Sequence, residues 1–156
     1  MAIHKLTLED FISIDYELIG IRSRIEDYKL AYLLNRFLNL KLRLENEEVQ
    51  VKKKETIAGF SHYSFQDEDN SLNWRLLKNK TIVSTKSSSV GLFDETDEEV
   101  FLVSKFKTAD YILKIEDIDS YFEIDTLIHK IKNIAGVETC FKIDQLKLKN
   151  NTNLIF

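Results

Sequence analysis

The side chains able to do chemistry in this chain are scattered. His4, His62 and His129 stand in no spacing that makes a metal site or a catalytic pair. His129 falls on the polar side of a helical pattern, which predicts a solvated residue. His62 lies among Phe60, Tyr63 and Phe65, which predicts a packed strand residue. A nucleophilic cysteine needs a lowered pKa and a base within reach. Cys140 has only Lys142 close in sequence, so a structural role is expected. The acidic run Asp94-Glu95-Thr96-Asp97-Glu98-Glu99 lacks the alternating oxygens and the glycine of a calcium loop, and it reads as a solvated connection beside Ser87-Ser88-Ser89. Lys52-Lys53-Lys54 near the aromatic stretch Phe60 to Phe65 hints at nucleic acid, because phosphates attract lysines and bases stack on aromatics. A net charge of -4 and a pI of about 5.5 oppose that reading. There is no phosphate-cradling glycine loop, nucleophile elbow or zinc spacing.

Three groups of residues remain as candidates. Arg22 and Arg24 lie just before a predicted helix, and helix N-termini favour anions. Asp110 and Tyr111 open a predicted strand and would serve an enzyme if a polar pocket formed around them. Leu154-Ile155-Phe156 is apolar where chain ends are usually frayed and polar, so it should dock on its own core or meet another chain. Trp74 is a further large apolar residue with a polar handle.

The elements that must position these residues are legible in outline. A chain of 156 residues predicts one domain, 1–156, large enough to hold a core without disulfide or metal. The single cysteine and the absence of a signal-peptide pattern or a long apolar run predict a cytoplasmic setting. Ser23-Arg24-Ile25-Glu26 fits a capping box, followed by an apolar face through Ile25, Tyr28, Leu30, Ala31, Leu33, Leu34, Phe37 and Leu38. Ser120-Tyr121-Phe122-Glu123 repeats the box, and Ile124, Leu127, Ile128, Ile131 and Ile134 keep helical spacing up to Gly136 as a C-cap glycine. Strands are predicted at 16–21, 41–44, 49–53, 58–66, 74–78, 80–84, 100–105, 111–116 and 137–143. The pair 74–78 and 80–84 is expected to form a hairpin about Asn79. Short turns between strands argue antiparallel pairing. The expected fold class is therefore α+β, a mostly antiparallel sheet with two amphipathic helices on one face. Strand–helix–strand flanks at 16–44 and 111–143 suit an elaborated ferredoxin-like or ACT-like core.

Several segments carry a family resemblance over almost the whole length. Ala2-Ile3-His4-Lys5-Leu6, the stretch from Ser23 to Asn35, and Asn153-Leu154-Ile155-Phe156 resemble the IPExxxVDY family of small bacterial proteins. The naming motif falls at Val103 to Tyr111, where Val103-Ser104-Lys105 stands for Ile-Pro-Glu and Ala109-Asp110-Tyr111 for Val-Asp-Tyr. Asp110 and Tyr111 match strictly, and Lys105 reverses a charge. The resemblance implies membership and carries no activity, substrate or catalytic residue with it.

Three functions are expected in order. The first is a non-catalytic interaction module, partnered by a second copy of itself or another cytoplasmic protein. The second is an ACT-like domain binding a small ligand near Arg22 and Arg24. The third is an enzyme using Asp110 and Tyr111. No cofactor or metal is implied, and neither membrane nor nucleic acid is an expected partner.

Overall fold

The computed structural model describes residues 16–86 and 95–148. In chain order these hold β1 (Tyr16–Ser23), α1 (Asp27–Leu38), β2 (Arg43–Leu44), β3 (Val49–Lys53), β4 (Thr56–Phe60), β5 (His62–Asp67), β6 (Leu72–Lys78), β7 (Lys80–Lys86), β8 (Glu95–Phe101), β9 (Tyr111–Glu116), α2 (Ile124–Lys132) and β10 (Val137–Lys142). Six strands form an antiparallel sheet in the order β10-β1-β9-β6-β5-β2. The pairs β3-β4 and β7-β8 are separate antiparallel ribbons. The order β10-β1-β9-β6, with α1 after β1 and α2 after β9, is that of the ferredoxin-like split βαβ arrangement. The other strands elaborate it.

Strand periodicity explains the layers. Ile19, Ile21, Trp74, Leu76, Leu113 and Ile115 face one side of the sheet, where Leu30, Ala31 and Leu34 of α1 and Leu127, Ile128 and Ile131 of α2 cover them. The alternate positions Leu18, Leu77 and Ile112 face the other side, under Ala58, Phe60, Val100 and Leu102 of the two ribbons and the segment that follows them. β9 is buried on both faces, hence its nearly continuous apolar run. Burying one such Leu or Ile side chain fully contributes roughly 1.5–3 kcal/mol.

Several expectations need correction. Neither capping box forms. α1 begins after Glu26, and Asp27 rather than Ser23 holds its first turn: its Oδ1 accepts from the Tyr28 N–H at 2.8 Å and its Oδ2 from the Ser61 hydroxyl at 2.6 Å. α2 begins after Glu123, and Asp119 rather than Ser120 makes the preceding turn by accepting from the Tyr121 N–H at 2.9 Å. Tyr28 and Phe37 were expected in the core, yet both lie on the exposed side of α1, whose buried stripe is the narrower Leu30, Ala31 and Leu34. Asn39 ends α1 in the left-handed conformation that its short polar side chain tolerates.

The stretch 58–66 is two strands, broken at Ser61, because Phe60 packs under the sheet while Tyr63 packs on the helix side. β6 and β7 do not pair about Asn79; β6 stays in the main sheet and β7 pairs with β8. The acidic run is accordingly strand from Glu95 on, with Ser84 bonded to Asp97, Lys53 paired with Glu98 and Lys80 paired with Glu99. The strand expected at 100–105 ends at Phe101, and a short 3-10 turn follows at Ser104–Phe106. In β10 Cys140 turns into the helix-side core. Gly136 is left-handed at φ +95 as expected of a cap, but three residues beyond Asn133, which caps α2. Leu154, Ile155 and Phe156 lie outside the described residues. No helix among the described residues is long and apolar enough to cross a membrane.

Candidate functional site

β1 runs on to Ser23, so Arg22, Ser23 and Arg24 sit at the end of the sheet rather than in a helix cap. Asp110 meets them from the neighbouring strand end. Its N–H donates to the Ile21 carbonyl at 2.9 Å, and its Oδ2 accepts from the Ser23 N–H at 2.9 Å. The Ser23 hydroxyl donates to the Gly136 carbonyl at 2.7 Å and accepts from the Ile25 N–H at 3.2 Å. Tyr111, buried beside them, donates its hydroxyl to the Ile25 carbonyl at 2.5 Å. Burial, reinforced by Asp27 and other nearby carboxylates, pushes the Tyr111 phenol far above its ordinary range. A phenol so held is a poor proton donor at neutral pH, and its hydroxyl is committed to the backbone.

Four of the seven residues singled out in the sequence therefore meet in one place. An open cleft of about 750 Å3 is lined by Arg22, Arg24, Asp110 and Tyr111. Lys78 and Lys80 join from β6 and β7, with Glu26 and Glu138. The register fixes the span. Ile21 pairs with Tyr111, and Tyr111 pairs with Lys78. The arginines and Lys78 thus rise from strands two spacings apart, roughly 9–10 Å. Around Arg22 and Ser23 the β1–β10 register shifts, and Glu138 lies opposite that irregularity. Its Oε2 is 3.3 Å from Arg22 Nε and its Oε1 is 3.3 Å from Arg24 Nε. Lys80 pairs with Glu99 at 2.8 Å. Lys78 acts electrostatically on Asp27; burial works against that carboxylate's charge, but bonds from Ser61 and Tyr28 and the lysine's field hold it below the usual range.

The remaining sequence candidates are elsewhere. Burial pushes the Cys140 thiol up to about 11, opposite to what a nucleophile needs. His62 is half-buried on β5, desolvation lowers its pKa, and its Nδ1 has no partner among the described residues. His129 is exposed on α2. Lys53 is bonded to Glu98, and Phe60 and Tyr63 are buried, so neither of those two rings offers an open face beside the lysine run. Trp74 is buried under the helices. No group of three or more His, Cys, Asp or Glu among the described residues is placed to hold a metal ion.

Sequence reasoning missed Lys78, Lys80 and Glu138, because only the strand order brings them to Arg22. It also missed Asn79, which is fully buried. The Asn79 N–H donates to the Asp110 carbonyl and its own carbonyl accepts from the Leu102 N–H, each at 2.8 Å. Its side chain donates to the carbonyls of Phe106 and Ala109 and accepts from the Val103 N–H. One amide thus pins the whole segment from Leu102 to Asp110.

A scan against known family models and a search of curated proteins found no match to this chain.

Proposed function

We propose that this domain is a non-catalytic binding module that takes a small anionic ligand in the cleft beside Arg22, Arg24, Lys78 and Lys80. The observation that carries this reading is the convergence of four cations from three strands and a strand end on one open cleft. The groups an enzyme would use there are bonded to backbone: Asp110 to Ser23, Tyr111 to Ile25 and Ser23 to Gly136. Binding, not turnover, is what the free polar surface supports. Exposed cations give weak, salt-sensitive attraction, so affinity on the order of 1 mM is expected. The test is calorimetric titration with inorganic phosphate and with glutarate. Wild type should bind at least one of them at low salt, and Arg22→Ala and Lys78→Ala should each weaken binding. Binding unchanged in both variants would dismiss the cleft.

The family resemblance is part of the same proposal. The two motif positions that match strictly, Asp110 and Tyr111, both bond to the Ser23–Ile25 corner, which itself belongs to a resembling segment. In this reading the motif is a structural clasp that shapes the cleft, in a cytoplasmic protein of the IPExxxVDY type.

One observation favours an interaction role as well. Tyr28 and Tyr32, one helical turn apart on α1, are 66% and 60% exposed. Tyrosines of this kind anchor protein interfaces, and a second copy of the chain is the partner proposed. Sedimentation should show a concentration-dependent dimer that Tyr28→Ser with Tyr32→Ser abolishes; a monomer at all concentrations rejects it.

A further inference from the structure

Glu138 is the one carboxylate in the cleft bonded to both arginines, one oxygen to each at 3.3 Å. That geometry is the one a ligand carboxylate would adopt between two guanidinium groups. The arginine side chains are 55% and 92% exposed and Glu138 is 40% exposed, so these bonds are cheap to break in water. Lys78 and Lys80 line the same cleft, and Lys78 rises from a strand roughly 9–10 Å from the arginines' strand. Lys80 shares its charge with Glu99, while Lys78 is opposed by Asp27 only through its field. The second cation pair therefore calls for a second negative group on the same ligand.

We infer that Glu138 is a built-in competitor for the arginine pair, and that the ligand is a small dicarboxylate. One ligand carboxylate displaces Glu138 from Arg22 and Arg24, and the other reaches Lys78 and Lys80. This rests on the anion-binding reading above and adds the ligand's class and the gate on its entry. Glu138 then sets a threshold: the site fills only when ligand is abundant enough to outcompete a tethered carboxylate. The displaced side chain is on the exposed side of edge strand β10, so it can swing into solvent without moving the core.

Titration of glutarate into the full chain, followed by calorimetry, tests this with three variants. Glu138→Gln removes the competitor and should bind glutarate about two- to tenfold tighter than wild type. Glu26→Gln removes an equal charge from the same cleft without touching an arginine, and should gain distinctly less. Arg24→Ala should lose the gain when combined with Glu138→Gln. Equal gains in Glu138→Gln and Glu26→Gln would overturn displacement in favour of bulk charge. Glutarate bound no tighter than acetate would overturn the dicarboxylate assignment and leave the anion-binding reading standing. Absence of binding in wild type and Glu138→Gln alike, with unchanged melting curves, would end both.

Discussion

The carboxylate of Asp110 accepts the Ser23 backbone N–H at 2.9 Å, across 87 residues of chain. That single bond explains why the serine-to-glutamate capping pattern fails. In a capping box the glutamate side chain would reach back to that same N–H. Here a distant aspartate has taken it, β1 extends to Ser23, and the helix is delayed to Asp27. Asp110→Ala should leave the N–H unsatisfied and lower stability by about 1–3 kcal/mol. Asp110→Asn keeps an acceptor and should cost less. Denaturant unfolding of the two variants ranks them; equal losses would show that charge, rather than the bond, matters.

Asn79 is the second clasp. Replacing it with alanine strips partners from the Val103 N–H and from the carbonyls of Phe106 and Ala109. The expected loss is about 3 kcal/mol or more, given the cost of each unsatisfied buried group. Asn79→Asp retains the acceptor but turns a carboxylate oxygen towards the Phe106 and Ala109 carbonyls in a fully buried place, and should cost at least as much as alanine. A loss below about 1 kcal/mol for alanine would mean that the segment from 102 to 110 does not depend on this amide.

Gly136 should tolerate no side chain. Its φ is +95, and an added Cβ would sit 2.2 Å from Ile25 Cδ1. Gly136→Ala should destabilise by more than about 1 kcal/mol. It should also disturb the Ser23–Ile25 corner, seen as shifted amide resonances there. A neutral substitution would place the glycine outside the packed corner.

Cys140 gives a pH signature. Its thiol ordinarily ionises near 9 and is pushed to about 11 by burial in the fold. Below pH 9 it is protonated in both folded and unfolded chains. Between 9 and 11 only the unfolded chain loses the proton, so stability falls as pH rises through that window. The slope of unfolding free energy against pH from 8 to 11 should be shallower in Cys140→Ala than in wild type. Identical slopes would mean the thiol is solvated.

Much of the fold is readable from local pattern, and two of its failures have the same cause. α2 is found because Leu127, Ile128 and Ile131 keep one buried stripe. β9 is found because both its faces are apolar. The expected Asn79 hairpin and the Ser23 capping box fail because short-range signals compete with partners remote in sequence, whereas the Ser120 box yields to its neighbour Asp119. Asn79 turns inward to the 102–110 segment, and Ser23 turns to Asp110 and Gly136. The site divides the same way. Arg22, Arg24, Asp110 and Tyr111 are polar residues at element ends and can be picked out by eye. Lys78 also ends a strand and Glu138 lies near the start of one, but nothing in the linear chain sets β6 and β10 on either side of β1 and β9.

The anion-binding cleft is tested most directly by mapping where an anion lands. Amide nitrogen–proton spectra recorded during a glutarate titration at low salt should show saturable shifts concentrated at residues 22–26, 78–82, 110–111 and 138. The same shifts should fade as salt is raised. Shifts centred elsewhere on the molecule, or none up to tens of millimolar (roughly tenfold or more above the affinity expected of exposed ion pairs), would contradict the account.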